Sequence, residues 1–307
     1  ALEAGIPANK IVYAGVGKTD KEILYAIKSG IGCFNIESAA ELEVVNQLAA
    51  DSNALVKVAL RVNPNIDAHT HHYITTGLEE NKFGINLDQL DNVIAQYMKM
   101  SNVKLAGLHF HIGSQILTME PIKLLCDRIN ALQDRLLSQG IELELINVGG
   151  GLGIDYDDPD QNPVPDFNDY FDTIHQNLNL KPGQTVHCEL GRSIVAQCGS
   201  LISRVLYIKN GTSRNFAIID AGMSDLIRPA LYGAYHLIQN ISQPDAPMAT
   251  YDVVGPVCES SDCFGKDVDI PQLKRGEFVA IRSAGAYGEA MASNYNCRKL
   301  YPAYFLS

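Results

Sequence analysis

Six short apolar or β-branched runs, at residues 11–14, 32–36, 56–62, 105–112, 143–148 and 185–189, alternate with segments of helical periodicity. Thr19 with Glu22, and Ser38 with Glu41, are spaced as helix-opening capping boxes. Ile122, Leu125, Ile129, Leu132 and Leu136 recur every three or four residues, with Gly140 placed to close that helix. Leu90, Val93, Ile94 and Tyr97 repeat the pattern, as do Phe167, Tyr170, Phe171, Ile174 and Leu178. Such alternation implies parallel strands with crossover helices, either a doubly wound sheet or a (β/α) barrel. No G-x-G-x-x-G fingerprint opens the first unit, which counts against the dinucleotide-binding sheet. Beyond residue 198 the rhythm changes to strand-like runs at 216–220, 250–254 and 277–283, with turn signals at Asn210-Gly211 and Arg275-Gly276. The expected class is therefore α/β: a TIM-type (β/α)8 barrel over 1–198, followed by a mostly β domain over 199–307.

Composition narrows the chemistry. The 307 residues carry a formal charge of −11 without a Lys/Arg run, a poor basis for binding nucleic acid or an anionic membrane. Seven scattered cysteines without a C-x-x-C pair indicate neither a disulfide framework nor a zinc ribbon, and a reducing cytoplasm suits them. No run of about 18 apolar residues is present to span a bilayer. Small-molecule chemistry is the default expectation.

Three polar clusters fall at the carboxyl ends of predicted parallel strands, where barrel loops gather an active site. In Leu108-His109-Phe110-His111-Ile112-Gly113-Ser114-Gln115 the two histidines share a strand face. They read as metal ligands, as one core and one site histidine, or with an imidazole lying flat on a planar ligand beside an anion held by Gly113 and Ser114. No third metal ligand at suitable spacing is evident. In Asn147-Val148-Gly149-Gly150-Gly151, consecutive glycines let backbone N–H groups approach an anion, although such turns also arise for steric reasons. Glu189-Leu190-Gly191-Arg192 is the third cluster; in isolation it is also a simple ion pair. Together they describe a site for a flat, phosphorylated, nitrogen-containing ring. Arg192 and the glycines would hold the phosphate, His111 would stack on the ring, and Glu189 would pair with a protonated ring nitrogen. Pyridoxal phosphate fits that description.

Gly15-Val16-Gly17-Lys18-Thr19 resembles the end of a P-loop, but Val12 stands where the motif needs glycine. The acid- and proline-rich stretch from Asp155 to Asp172 reads as a solvated loop leading into a helix, since its spacing does not match a calcium loop. Cys258, in Cys258-Glu259-Ser260-Ser261-Asp262, is either a small buried hydrophobe or a reactive thiol, and its polar setting favours the thiol. Arg228 and Tyr232 are placed to receive a carboxylate or to form a surface pair.

These motifs resemble those of the diaminopimelate decarboxylase family, among the alanine-racemase-like, fold-type III pyridoxal-phosphate enzymes. The resemblance runs nearly end to end. It rests on Gly15 to Lys18, Cys33 to Ser38, Arg61-Val62-Asn63-Pro64, His69-Thr70-His71, Thr76-Gly77, Lys82-Phe83-Gly84, His111 to Gln115, Gly149 to Gly151, Cys258 to Asp262 and the Tyr287 segment. It implies decarboxylation of meso-2,6-diaminopimelate to L-lysine and CO2, the last step of lysine biosynthesis. It implies that His111 stacks on the pyridine ring and that Glu189 protonates its nitrogen. Ser114, Gly149, Gly150, Gly151, Gly191, Arg192 and Tyr287 would surround the phosphate, and Arg192, Arg228 and Tyr232 would bind the retained carboxylate. Cys258 would act as proton donor and Glu259 would meet the distal ammonium, both in the neighbouring subunit's site of a homodimer. No metal is implied.

Two positions depart from the family pattern. Leu190 replaces the proline of an E-P-G-R motif, which alters rigidity without removing a functional group. The family's N-terminal Tyr-Ala-x-Lys segment, whose lysine forms the Schiff base, has no match, and Lys18 belongs to a different motif. With about six strands where a closed barrel uses eight, the first two units are expected to be missing from this chain, which as it stands is expected to be inactive. The alternatives are a relative acting on ornithine, arginine or carboxynorspermidine, and a decarboxylase-like binding protein without catalysis.

Overall fold

The computed structural model describes residues 1–66 and 82–305, so the His69 to His71 and Thr76-Gly77 motifs lie outside the described residues. The chain divides into two compact units. The first comprises Ala1–Gly151 with Asp166–Leu190, and the second Leu152–Pro165 with Gly191–Ser307.

In the first unit the chain runs β1 (Val12–Tyr13), α1 (Asp20–Ser29), β2 (Cys33–Ile36), α2 (Ala39–Asp51), β3 (Val56–Asn63), β4 (Ile85–Asn86), α3 (Leu90–Tyr97), β5 (Val103–His109), α4 (Glu120–Ser138), β6 (Leu145–Asn147), α5 (Phe167–Asn177) and β7 (Thr185–His187). The strands pair in parallel in the order β1-β2-β3-β5-β6-β7, with the short β4 added beside β3. Each expected strand is present, and the class is a TIM-type β/α sheet. All of β2 and the last six residues of β3 are buried. A parallel sheet covered on both faces takes unbroken apolar runs rather than alternation, which is why these strands stand out in the sequence.

The helix starts follow their caps. Thr19 accepts from the Glu22 N–H while the Glu22 carboxylate accepts from the Thr19 N–H, a complete capping box. Ser38 caps α2 in the same way, but Glu41 does not close the box: its carboxylate takes the Glu37 N–H at 2.7 Å and the Lys18 ammonium at 2.5 Å. Tertiary charge pairing outcompetes the local motif there.

Register brings the polar residues into line. Arg61 on β3 pairs with His109 on β5, His109 with Asn147 on β6, and Asn147 with His187 on β7. This row lies at the carboxyl ends of neighbouring strands. His111, Gly149 and Glu189 each follow two residues later.

The second unit contains α6 (Arg192–Val195), β8 (Leu201–Asn210), β9 (Asn215–Ile219), α7 (Arg228–Tyr232), β10 (Ile238–Asn240), β11 (Met248–Val254), β12 (Cys263–Pro271) and β13 (Phe278–Ile281). Its six-stranded sheet has the order β10-β13-β8-β9-β11-β12, antiparallel except between β9 and β11. Val205, Ile219, Leu226, Tyr251, Val253, Phe264 and Ile281 are buried together in its core. The mostly β character expected from the sequence is present. Gly285 is required by packing: a Cβ there would lie 1.9 Å from the Val195 carbonyl oxygen. That close approach seats the Ala284 to Tyr287 segment on α6, with Gly285 N–H bonded to the Ala196 carbonyl at 2.9 Å.

Candidate active site

Glu189 is the electrostatic centre of the first unit's strand ends. Its carboxylate receives Asn147 Nδ2 at 2.8 Å, His109 Nε2 at 3.3 Å and Asn35 Nδ2 at 3.4 Å, from β6, β5 and β2. Burial alone would raise its pKa; the hydrogen bond from His109 and then that from Asn147 outweigh burial and hold it at about 2. Its side chain is nonetheless 38% exposed, an ionised acid facing outward from a frame of donors.

His111 sits beside the glycines. Its Nδ1 accepts the Gly150 N–H at 3.2 Å, so the ring proton is on Nε2. Burial first, and then the charge of Arg61, lower its pKa to about 4, leaving a neutral ring at neutral pH. Gly150 is glycine for a steric reason, since a Cβ would lie 2.1 Å from the Glu189 carbonyl oxygen. The same closeness presses the glycine turn against the loop that carries Glu189. His109 is buried, and its Nδ1 has no partner among the described residues. The pair thus divides into a core histidine and a loop histidine, and no cluster of three metal-ligating side chains occurs among the described residues.

Lys18 is fully engaged. Its ammonium donates to the Gly15 and Asn35 carbonyls at 2.8 and 2.7 Å and to Glu41, which uses its three protons. Among the motif residues 33–38, 61–64 and 82–84, a buried ion pair links β3 to the end of β2. Arg61 NH1 bonds Glu37 Oε1 at 2.8 Å, Glu37 Oε2 accepts the Gly84 N–H at 2.9 Å, and the Arg61 guanidinium lies 4.7 Å from the Phe83 ring centre.

The second unit holds a pair of buried arginines. Arg192 NH1 and Arg228 NH1 donate to the same atom, Tyr156 Oη, at 2.6 and 3.0 Å. Both side chains are buried, which overturns the surface-pair reading of Arg228. Isolated buried cations are costly, and Arg228 has no carboxylate partner among the described residues. Arg192 also lies 5.3 Å from the Tyr287 ring centre, and Tyr287 is 40% exposed. Tyr232 lies at the end of α7, half-buried, and Ser114 is half-buried in the loop after β5.

Cys258 and Glu259 are exposed, so Cys258 is not a buried hydrophobe. Their loop is organised by buried Asp262, whose carboxylate accepts the Met223 and Val257 N–H groups at 2.6 and 2.7 Å. Tyr295 donates its hydroxyl proton to Glu259.

Sequence reasoning missed Tyr156 and His236 and gave His109 and Asn147 no defined role. Tyr156 belongs to the stretch read as a solvated loop; it is half-buried, and Ile154, Ala196 and Ala286 pack against it. The only signal for Asn147 was its place at a strand end directly before the glycines.

Residues 1–196 match the family model described as pyridoxal-dependent decarboxylase, pyridoxal binding domain. The diaminopimelate decarboxylase of Bacteroides thetaiotaomicron is 60% identical over 304 residues, spanning 99% of this chain and 78% of that protein. That of Aquifex aeolicus is 42% identical over 299 residues, spanning 97% and 70%. The crystal structure of diaminopimelate decarboxylase from Helicobacter pylori complexed with L-lysine superimposes with a TM-score of 0.89 at 42% identity, covering 96% of this chain and 73% of that one. The chain belongs to the diaminopimelate decarboxylase family of pyridoxal-dependent decarboxylases.

The residues present fit pyridoxal phosphate. An ionised, outward-facing carboxylate suits a protonated pyridine nitrogen, and a neutral imidazole suits the face of a cationic ring. Gly191 leaves room for an anion, since a Cβ there would meet only the Tyr287 hydroxyl, at 3.6 Å. No described helix is long and apolar enough to cross a membrane.

Proposed function

We propose that these residues, together with a Schiff-base lysine that this sequence does not include, decarboxylate meso-2,6-diaminopimelate to L-lysine and CO2 with pyridoxal phosphate, in a cytoplasmic homodimer whose subunits share active sites. The observation that carries the choice of substrate is the buried arginine pair. An amino acid with a second carboxylate needs a fixed cation away from the reacting carbon, and Arg228 has no acid among the described residues to neutralise it.

The roles are those the family resemblance implies, and the donor frame around Glu189 and the buried Arg228 support them. Glu189 accepts a hydrogen bond from the ring nitrogen and keeps it protonated, with His109, Asn147 and Asn35 holding the carboxylate ionised. When bound, the protonated ring supplies an electron sink for the pair released as CO2 departs. His111, neutral and bonded to the Gly150 N–H, would offer its ring face to the pyridine. Ser114, Gly149 to Gly151, Gly191, Arg192 and Tyr287 hold the phosphate, and Arg192, Arg228 and Tyr232 hold the retained carboxylate. The exposed thiol of Cys258 donates the proton that replaces CO2, and Glu259 meets the distal ammonium, both across the dimer.

The intact protein loaded with cofactor is expected to release CO2 from meso-diaminopimelate far faster than from ornithine, arginine or carboxynorspermidine. A preference for a substrate lacking the distal carboxylate would overturn this reading. Cys258→Ala is expected to lower kcat about 10²-fold, within the usual range for a positioned proton donor, with cofactor affinity unchanged. An unchanged rate would remove Cys258 from the chemistry.

A further inference from the structure

His236 is among the most buried polar residues of the second unit, 1% exposed, and stands outside every motif discussed above. Its two ring nitrogens have fixed tasks. Nδ1 lies 2.8 Å from the Arg282 carbonyl oxygen, which can only accept, and Nε2 lies 2.8 Å from Arg228 NH1, which can only donate. The ring must therefore be the neutral Nδ1–H tautomer. Burial first, with the nearby charges of Arg228 and Arg192 acting in the same direction against the Arg282 carbonyl, keeps its pKa at about 4. The ring also stands edge-on to Tyr156, with centres 5.1 Å apart and planes at 80°.

The consequence falls on Arg228. One NH1 hydrogen goes to His236 and the other to Tyr156 Oη, so that nitrogen is used up. Nε is buried and without a partner among the described residues, and NH2 is left with it. The Nε–NH2 edge is a fork that matches a carboxylate with two parallel hydrogen bonds.

We propose that His236 is a positioning residue for substrate recognition: by accepting one NH1 proton of Arg228 it turns the Nε–NH2 edge of that guanidinium toward the substrate's retained carboxylate. The inference rests on the reading of Arg228 as a carboxylate ligand. His236 itself touches no substrate. Backbone Arg282 and the Tyr156 ring fix the imidazole, and the imidazole fixes the arginine.

The test compares two ligands of the cofactor-loaded intact protein by calorimetric titration: L-lysine, which carries the retained carboxylate, and cadaverine, the same chain without it. His236→Asn keeps an amide donor for the Arg282 carbonyl and removes the acceptor for Arg228. It is expected to weaken lysine about tenfold or more and cadaverine less than twofold. His236→Gln, which extends an acceptor toward Arg228, is expected to bind lysine within about threefold of the wild type. Equal weakening of both ligands, or unchanged lysine binding in His236→Asn, would overturn the proposal. Arg228→Ala separates the two layers. If it binds lysine normally, the carboxylate role of Arg228 falls and the proposal with it; if it loses lysine while His236→Asn does not, only the role of His236 falls. A readout independent of any variant is the wild-type ring tautomer by 15N NMR, expected to be Nδ1–H. An Nε2–H ring would overturn the proposal.

Discussion

Glu189→Gln is expected to lower kcat on the order of 10³-fold while pyridoxal phosphate remains bound, equivalent to about 4 kcal/mol of lost transition-state stabilisation. The substitution is nearly isosteric. The amide oxygen takes the place of Oε1, which now accepts from Asn147 and Asn35 at 2.8 and 3.4 Å, and the amide nitrogen takes the place of Oε2, 3.3 Å from His109 Nε2, which then accepts in its Nδ1–H tautomer, so the surrounding frame is expected to persist. What disappears is the negative charge, held at about 2 by those donors against the burial that opposes it. Without it nothing compensates a proton on the ring nitrogen, and the unprotonated ring accepts electron density poorly. Cofactor affinity depends mainly on the phosphate ligands and is expected to change less than tenfold. A variant with normal kcat, or one that loses the cofactor outright, would contradict this assignment.

Arg61→Ala is expected to destabilise the protein by about 3–5 kcal/mol, the range for stripping one partner from a buried ion pair. Glu37 and Arg61 have side chains only 3% and 10% exposed. Removing the guanidinium leaves the Glu37 carboxylate with the N–H of Gly84 and no counter-charge among the described residues, and it also takes away the cation over Phe83. The companion test is Arg61→Met with Glu37→Gln, expected to recover at least half of the loss because no buried charge is then unpaired. Urea denaturation of the three proteins, compared at equal m-value, measures both effects. A cost below about 1 kcal/mol for Arg61→Ala would show that water reaches the pair. The same substitution removes a positive charge that helps keep His111 neutral, so the His111 pKa is expected to rise.

Much of this molecule is legible in its sequence because its strands are buried on both faces and its helices announce their starts. The run Val56 to Val62 and the Thr19–Glu22 box became β3 and the cap of α1 for local reasons. The candidate site residues at strand ends were legible as a group, since a β/α sheet sends its polar loops to one end. What stayed hidden depends on distant partners. Tyr156 lies 36 residues from Arg192 and 72 from Arg228, and His109 lies 80 from Glu189. A tyrosine among acids and prolines carries no mark of the guanidiniums it will meet. Glu41 shows the reverse case, where a local motif predicts a capping bond and a distant lysine takes the carboxylate instead.

The most direct examination is 15N NMR of ring-labelled pyridoxal phosphate bound to the intact protein across neutral and mildly alkaline pH. The ring nitrogen is expected to be protonated in the wild type and to lose that proton in Glu189→Gln. A bare ring nitrogen in the wild type, or a protonated one that ignores the substitution, would contradict the role given to Glu189 and the site built around it.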